Sequence, residues 1–276
     1  MHKPTTDTGL STATALSLSD FHIAGPPTVY YIPNFITMEE EQYLVEKIQA
    51  TPQQRWKQLA NRRLQLWGGE LTSKNTLIAQ AMPPFVESYP DIIARLRATG
   101  AFTRSPHGQP NHIIMNEDRV SMLHSIQQAS DLQGIMPHED GPAYFPVVAT
   151  ISLNSHSMFH YYRYQEDGRT IDSTPVMSVL LEPRSVVISQ DSLYSSHLHA
   201  IQEVEKDVVV LPTETKQPLV QIDSLSLPIA NWDRVTSPSI LEVLNNGGML
   251  ERETRYSLTC RDVEKVVQLK TLVNRR

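Results

Sequence analysis

The sequence predicts a mainly β fold of the sandwich or jelly-roll kind, with helices flanking it. Two observations carry this. After residue 110 the chain runs through short segments rich in Val, Ile, Ser and Thr: His112 to Met115, Val147 to Leu153, Val176 to Leu181, Ser185 to Ser189 and Arg255 to Thr259. Turn formers such as Glu182-Pro183-Arg184 separate them. The second observation is negative. Neither G-x-G-x-x-G nor a P-loop pattern occurs, and the strands do not alternate with long helical patterns, which argues against a doubly wound α/β fold.

Taken in order, residues 1–20 are rich in Ser and Thr and carry no apolar face, so a flexible tail is expected, followed by one domain over 21–276. Order is expected from Val29-Tyr30-Tyr31-Ile32, a β-branched and aromatic run closed by Pro33-Asn34. Thr37 followed by Glu40 reads as a capping box opening a helix, with Leu44, Val45 and Ile48 as its apolar stripe. A second helix is predicted from Phe85 to Thr99, ended by Gly100. Between them, Trp56 to Leu71 holds two tryptophans, three basic residues and a Gly-Gly turn. That composition suits a hairpin with a solvated basic edge and a substrate lid equally. The helical and lid part thus spans 28–109 and the β core 110–265. Residues 119–132 and 203–250 read as inserted stretches.

With 276 residues the chain is long enough for one well-buried core. Its net charge of -6 gives no strongly basic footprint of the kind bulk nucleic-acid binding requires. The single cysteine, Cys260, excludes an internal disulfide and reads as a small buried hydrophobe. No run of about twenty apolar residues predicts a membrane span, and the start of the chain does not have the pattern of a secretory signal. A monomer in the cytoplasm and nucleus is expected.

The residues able to do chemistry begin with Met136-Pro137-His138-Glu139-Asp140-Gly141. A His and an Asp two apart on an extended segment project to one side and can reach one cation. They are two of the three ligands of a 2-His-1-carboxylate site, which leaves coordination positions open. The third is open among His197, His199, His156 and His160, because strand alternation puts His197 and His199 on the same face. Further on, Arg255, Ser257, Thr259 and Arg261 share one face of a predicted strand, with Leu258 and Cys260 on the other. An arginine fork on a sheet suits bidentate binding of a carboxylate.

In order along the chain come Pro110-Asn111-His112 leading to Asn116, Met-Pro-His138-Glu-Asp140-Gly-Pro142, Ile151-Ser152-Leu153, Leu198-His199-Ala-Ile, and Arg255-x5-Arg261. Over roughly residues 28 to 265 this set resembles the AlkB family of dioxygenases, most closely the eukaryotic subgroup called AlkB homologue six. The resemblance implies a double-stranded β-helix core, jelly-roll and cupin-like. It implies iron(II) held by His138, Asp140 and His199. It implies 2-oxoglutarate bound by Asn116, Arg255 and Arg261, with Arg255 on the far carboxylate, and molecular oxygen as the oxidant. It implies a substrate lid around Arg62, Arg63 and Trp67, and oxidative demethylation of alkylated bases in single-stranded or flipped-base nucleic acid. The chain departs from the family in two respects: the irregular stretch Arg119 to Leu132 stands where the family has a short turn, and the Asn-x-Tyr pattern that binds 2-oxoglutarate reads Asn116-Glu117-Asp118. An acid beside an anionic co-substrate predicts weakened binding. Two rival functions follow: a catalytically weak nucleic-acid-binding module, and a dioxygenase acting on protein side chains.

Overall fold

Alternating side chains build two sheets that face one another. The computed structural model describes residues 17–23, 25, 28–59, 62–118 and 135–268; the inserted stretch read over 119–132 and the tail over residues 1–16 lie outside the described residues. The larger sheet has the order β1 (Val29–Ile32), β11 (Val186–Gln190), β8 (Tyr144–Leu153), β17 (Arg255–Val263), β6 (His112–Asp118), β3 (Arg62–Trp67) and β2 (Lys57–Gln58). The smaller has the order β10 (Met177–Leu181), β9 (Ser157–Arg163), β12 (His197–Ile201) and β7 (Ile135–His138). From β6 onward the chain passes between sheets: β6 in the larger, β7 in the smaller, β8 larger, β9 and β10 smaller, β11 larger, β12 smaller, and β17 larger. This is the double-stranded β-helix. A three-stranded sheet of β4 (Gly69–Leu71), β5 (Thr76–Ala79) and β18 (Lys265–Gln268) stands apart from both.

Which way each side chain faces follows from the register. On the larger sheet Ile113, Met115, Ala149, Ile151, Tyr256, Leu258 and Cys260 point outward. There they form one core with α1 (Met38–Gln49), α2 (Pro84–Glu87) and α3 (Ile92–Ala98). Cys260 is buried there, and burial pushes its thiol up to about 12. Between the sheets Val29, Tyr31, Phe159, Tyr161, Val179 and Val187 make a second core. Outside the smaller sheet, Met158 and Leu180 pack against residues of β13 (Lys206–Val210), β14 (Leu219–Ile222), β16 (Gly248–Glu251) and α5 (Pro238–Asn246). With β15 (Leu225–Pro228) the three strands form a fourth sheet. The stretch from 203 to 250 is therefore a folded layer that covers the roll.

Local signals set the helices. Glu40 N–H donates to the Thr37 hydroxyl (3.2 Å) and Thr37 N–H donates to the Glu40 carboxylate (2.8 Å), so the capping box is complete. Arg95 of α3 donates to the same Glu40 carboxylate and joins the helices. The single helix expected from Phe85 to Thr99 is instead two, because Pro90 lacks the amide an uninterrupted helix needs. Gly100, at φ +78°, ends the second as expected. Leu18, read as tail, and Phe21 form a short 3-10 turn with their side chains on the outer core, and the Arg234 guanidinium donates to the Asp20 and His22 carbonyls at 2.8 Å. Among the described residues no helix is long and apolar enough to cross a membrane.

Two buried carboxylates tie the covering layer to the roll. Glu182 accepts from the Tyr31 hydroxyl (2.8 Å), the Thr236 amide and hydroxyl (3.0 and 2.8 Å) and the Ser237 amide (3.0 Å), just ahead of α5. Asp207 of β13 accepts from Arg252 at 2.7 and 2.6 Å and lies 3.1 Å from His156, which sits between β8 and β9. Burying these charges is tolerable because each is surrounded by donors.

Candidate metal centre and co-substrate anchor

His138 ends β7 and His199 lies in β12, and the two are direct cross-strand partners. Their rings are 4.3 Å apart, centroid to centroid. Asp140 lies two residues beyond His138, and its Oδ1 is 3.8 Å from His199 Nε2. One ligand atom from each of the three falls within 4.8 Å of the others, a spacing one metal ion can bridge.

Each of the three side chains is prepared by its surroundings. The Nδ1 of His138 lies 2.8 Å from the Met136 carbonyl. A carbonyl only accepts, so Nδ1 carries the proton and Nε2 keeps its lone pair for a cation. Burial drives the His199 imidazole down to about 4 against the opposing pull of Asp140, so it is neutral at physiological pH and able to ligate. Phe159 stacks on it at 5.2 Å and 17° and fixes the ring plane. Burial works against an ionised Asp140, but Arg261 and then His199 outweigh it and hold the carboxyl below its usual range. Arg261 donates to Asp140 Oδ1, whereas Oδ2 is buried without a hydrogen-bond partner among the described residues. A buried anionic oxygen left bare is costly, and a cation would satisfy it. These residues fit a metal.

The other candidate histidines are engaged elsewhere. His197 donates through Nδ1 to the carbonyl of Ser192 (3.0 Å), at the start of the short helix α4 (Ser192–Ser195). His156 is held by Asp207, and His160 lies 2.9 Å from the Ser178 hydroxyl. Register selects His199 because it, and not His197, stands opposite His138.

The inward face of the larger sheet carries Asn116 and Asp118 on β6, Ser152 on β8, and Arg255, Ser257, Thr259 and Arg261 on β17. This face lines the interior of the roll, and Arg255 is only 3% exposed. Arg255 donates through one terminal nitrogen to Asp118 (2.9 Å) and through the other to the Ser152 hydroxyl (2.9 Å). Arg261 touches Asp140 and lies over the Tyr144 ring at 5.0 Å.

The expected lid is not one surface. Arg62 shares the inward face with Asp118, its cross-strand partner, but Arg63 and Trp67 point the opposite way. Arg63 is paired with the buried Glu117 (2.6 Å) and stacks on Trp56 at 3.8 Å. Trp67 is 5% exposed, donates to Gln65 (3.0 Å) and meets Phe85 edge-on. Strand pairing puts both on the outer face, where Trp67 joins the core shared with the helices. A Trp67→Ala chain should lose about 3–5 kcal/mol of stability, which urea denaturation reads. Sequence reasoning passed over Phe159 and Tyr194, whose hydroxyl donates to the Gly141 carbonyl (3.1 Å) and braces the turn beyond Asp140. Neither carries a motif that would have marked it.

No family model matches the chain. A curated protein of Danio rerio, "Probable RNA/DNA demethylase ALKBH6", is 32% identical over 256 residues, covering 91% of this chain and 92% of that protein. The chain belongs to the AlkB family. A solved structure described as "The structure of OsALKBH1" aligns to 87% of this chain and 100% of its own, at 14% identity and a TM-score of 0.42. The AlkB assignment rests on the Danio rerio relative. The order of motifs agrees with it, from Asn116 through His138-x-Asp140 and His199 to Arg255-x5-Arg261.

Proposed function

We propose that this AlkB-family chain is an iron(II)- and 2-oxoglutarate-dependent dioxygenase that removes methyl groups from nucleobases in DNA or RNA. The observation that carries the reading is the His138, Asp140 and His199 cluster with its bare, buried Asp140 oxygen. The relative's description as a probable RNA/DNA demethylase supports the substrate class. Iron(II) would be held by His138 Nε2, Asp140 and His199, and when bound it supplies the activation of oxygen. The chain's own part is to keep Asp140 ionised through Arg261, keep His199 neutral by burial, and fix the imidazoles through Met136 and Phe159. The site lies between sheets, so a base must leave its stack to reach it. Asn116, Ser257 and Arg261 offer polar groups to the co-substrate, but its distal anchor, Arg255, does not fit in the usual way because Asp118 already holds it.

The test supplies iron(II), 2-oxoglutarate and oxygen with single-stranded oligonucleotides carrying N-methylated bases, and in parallel with methylated peptides. Formaldehyde and unmodified base from the oligonucleotides, lost in a His138→Ala chain, are expected. Turnover of peptides alone would overturn the nucleic-acid part. The Asp118–Arg255 pair favours one second reading, a weakly catalytic nucleic-acid-binding module, whose result would be oligonucleotide binding with no formaldehyde.

A further inference from the structure

We infer that Asp118 is a built-in competitor for the distal carboxylate of the co-substrate, and that it sets the concentration of dicarboxylate at which the site fills. The inference rests on the dioxygenase reading for the identity of the ligand, but its geometry stands independently. Arg62, Asp118 and Arg255 are successive cross-strand partners on β3, β6 and β17, so all three side chains share the inward face. Asp118 Oδ2 accepts from an Arg255 terminal nitrogen at 2.9 Å, and Ser152 takes the other at 2.9 Å. Both ends of the fork that would grip a carboxylate from solution are thereby occupied. Only Nε of Arg255 is left without a hydrogen-bond partner among the described residues.

The two partners differ in burial. The Arg255 side chain is 4% exposed and that of Asp118 is 24% exposed. The arginine is fixed within the sheet, whereas the aspartate reaches it from the solvent side. An incoming dicarboxylate therefore meets a guanidinium whose charge is already balanced. It must displace a partner that is tethered and so present at high effective concentration. After displacement the Asp118 charge stays beside the bound anion and repels it. The keto-acid end of the same ligand is far less affected, because it does not depend on this pair. The inward face thus discriminates against the second carboxylate of a 2-oxo diacid and is indifferent to a 2-oxo monoacid.

Calorimetry on the manganese(II)-loaded full chain tests this, with 2-oxoglutarate and pyruvate as probes under anaerobic conditions. Asp118→Asn removes the charge and keeps the shape. It should tighten 2-oxoglutarate by at least about tenfold and leave pyruvate unchanged. Asp118→Glu keeps the charge and should bind 2-oxoglutarate like wild type. If Asp118 serves only to neutralise Arg255, the asparagine variant melts lower and binds 2-oxoglutarate no more tightly; that result overturns the inference. Equal tightening of both probes overturns it too, because the effect would not belong to the distal carboxylate. Manganese binding is measured first. If the wild-type chain takes up no metal, the dioxygenase reading itself falls, whereas normal metal binding with unaltered 2-oxoglutarate affinity removes the role of Asp118 alone.

Discussion

An Asp140→Asn chain is expected to bind iron(II) or manganese(II) more than about 100-fold more weakly than wild type, and to show no turnover. Loss of an outer partner of a metal ligand already costs about 10–100-fold in affinity, and this substitution removes the ligand's charge. The amide keeps the shape of the carboxylate, so the effect is not one of packing. It also removes the anion that Arg261 faces. That guanidinium is buried, and its Nε and second terminal nitrogen have no hydrogen-bond partner among the described residues. Breaking a buried pair from one side costs about 3–5 kcal/mol, so the variant should also melt lower. Manganese titration followed by electron paramagnetic resonance, done well below the melting temperature, reads the metal term apart from stability. Affinity within a few-fold of wild type would mean that this cluster is not the metal centre.

The second large effect is expected at Asp207, on β13 of the covering layer. Asp207→Ala should destabilise the protein by about 3–5 kcal/mol, because Arg252 and His156 lose the anion they enclose. Its pH dependence has a definite sign. Burial alone would raise the Asp207 carboxyl, but His156 and Arg252 outweigh it and bring it from 3.8 down to about 2. A folded-state value below the unfolded one adds stability that is present in full above the unfolded value and is lost as pH falls through about 4 towards 2. The size is about 2 kcal/mol. Denaturation free energies measured from pH 5 to pH 2 should therefore fall more steeply for wild type than for Asp207→Asn. Parallel curves would show that the cluster contributes no such term.

How much of this was legible depended on whether the deciding partner was near in sequence. The capping box at Thr37 and Glu40 is local, and it formed as read. So did the strands read at 112–115, 147–153, 176–181, 185–189 and 255–259, whose composition and bounding turns lie in single short windows, while β9 went unread. The strand from Arg62 to Trp67 was legible as part of a hairpin, one of the two readings of that stretch, but its facing was not. Only its register against β6 decides that Arg62 faces inward and Trp67 outward. The same holds at the metal cluster. His138 and Asp140 are neighbours and could be read as a pair, while His199 and His197 share a strand face and differ only in what stands across from them. The Asp118–Arg255 pair spans 137 positions in sequence. The substitution was visible, but the contact was not. The stretch from 203 to 250, with its scattered Pro, Asn and Gly, gave no period to follow; it is ordered through Glu182 and Asp207, one of them outside the stretch.

Helices back one sheet of the roll and the fourth sheet backs the other, both through continuous apolar contact. Neither wall can swing outward without exposing that surface to water, which opposes it strongly. The sheet that carries His138 and His199 is accordingly braced from behind, so the spacing within the cluster of His138, Asp140 and His199 is set by the fold before any ligand arrives.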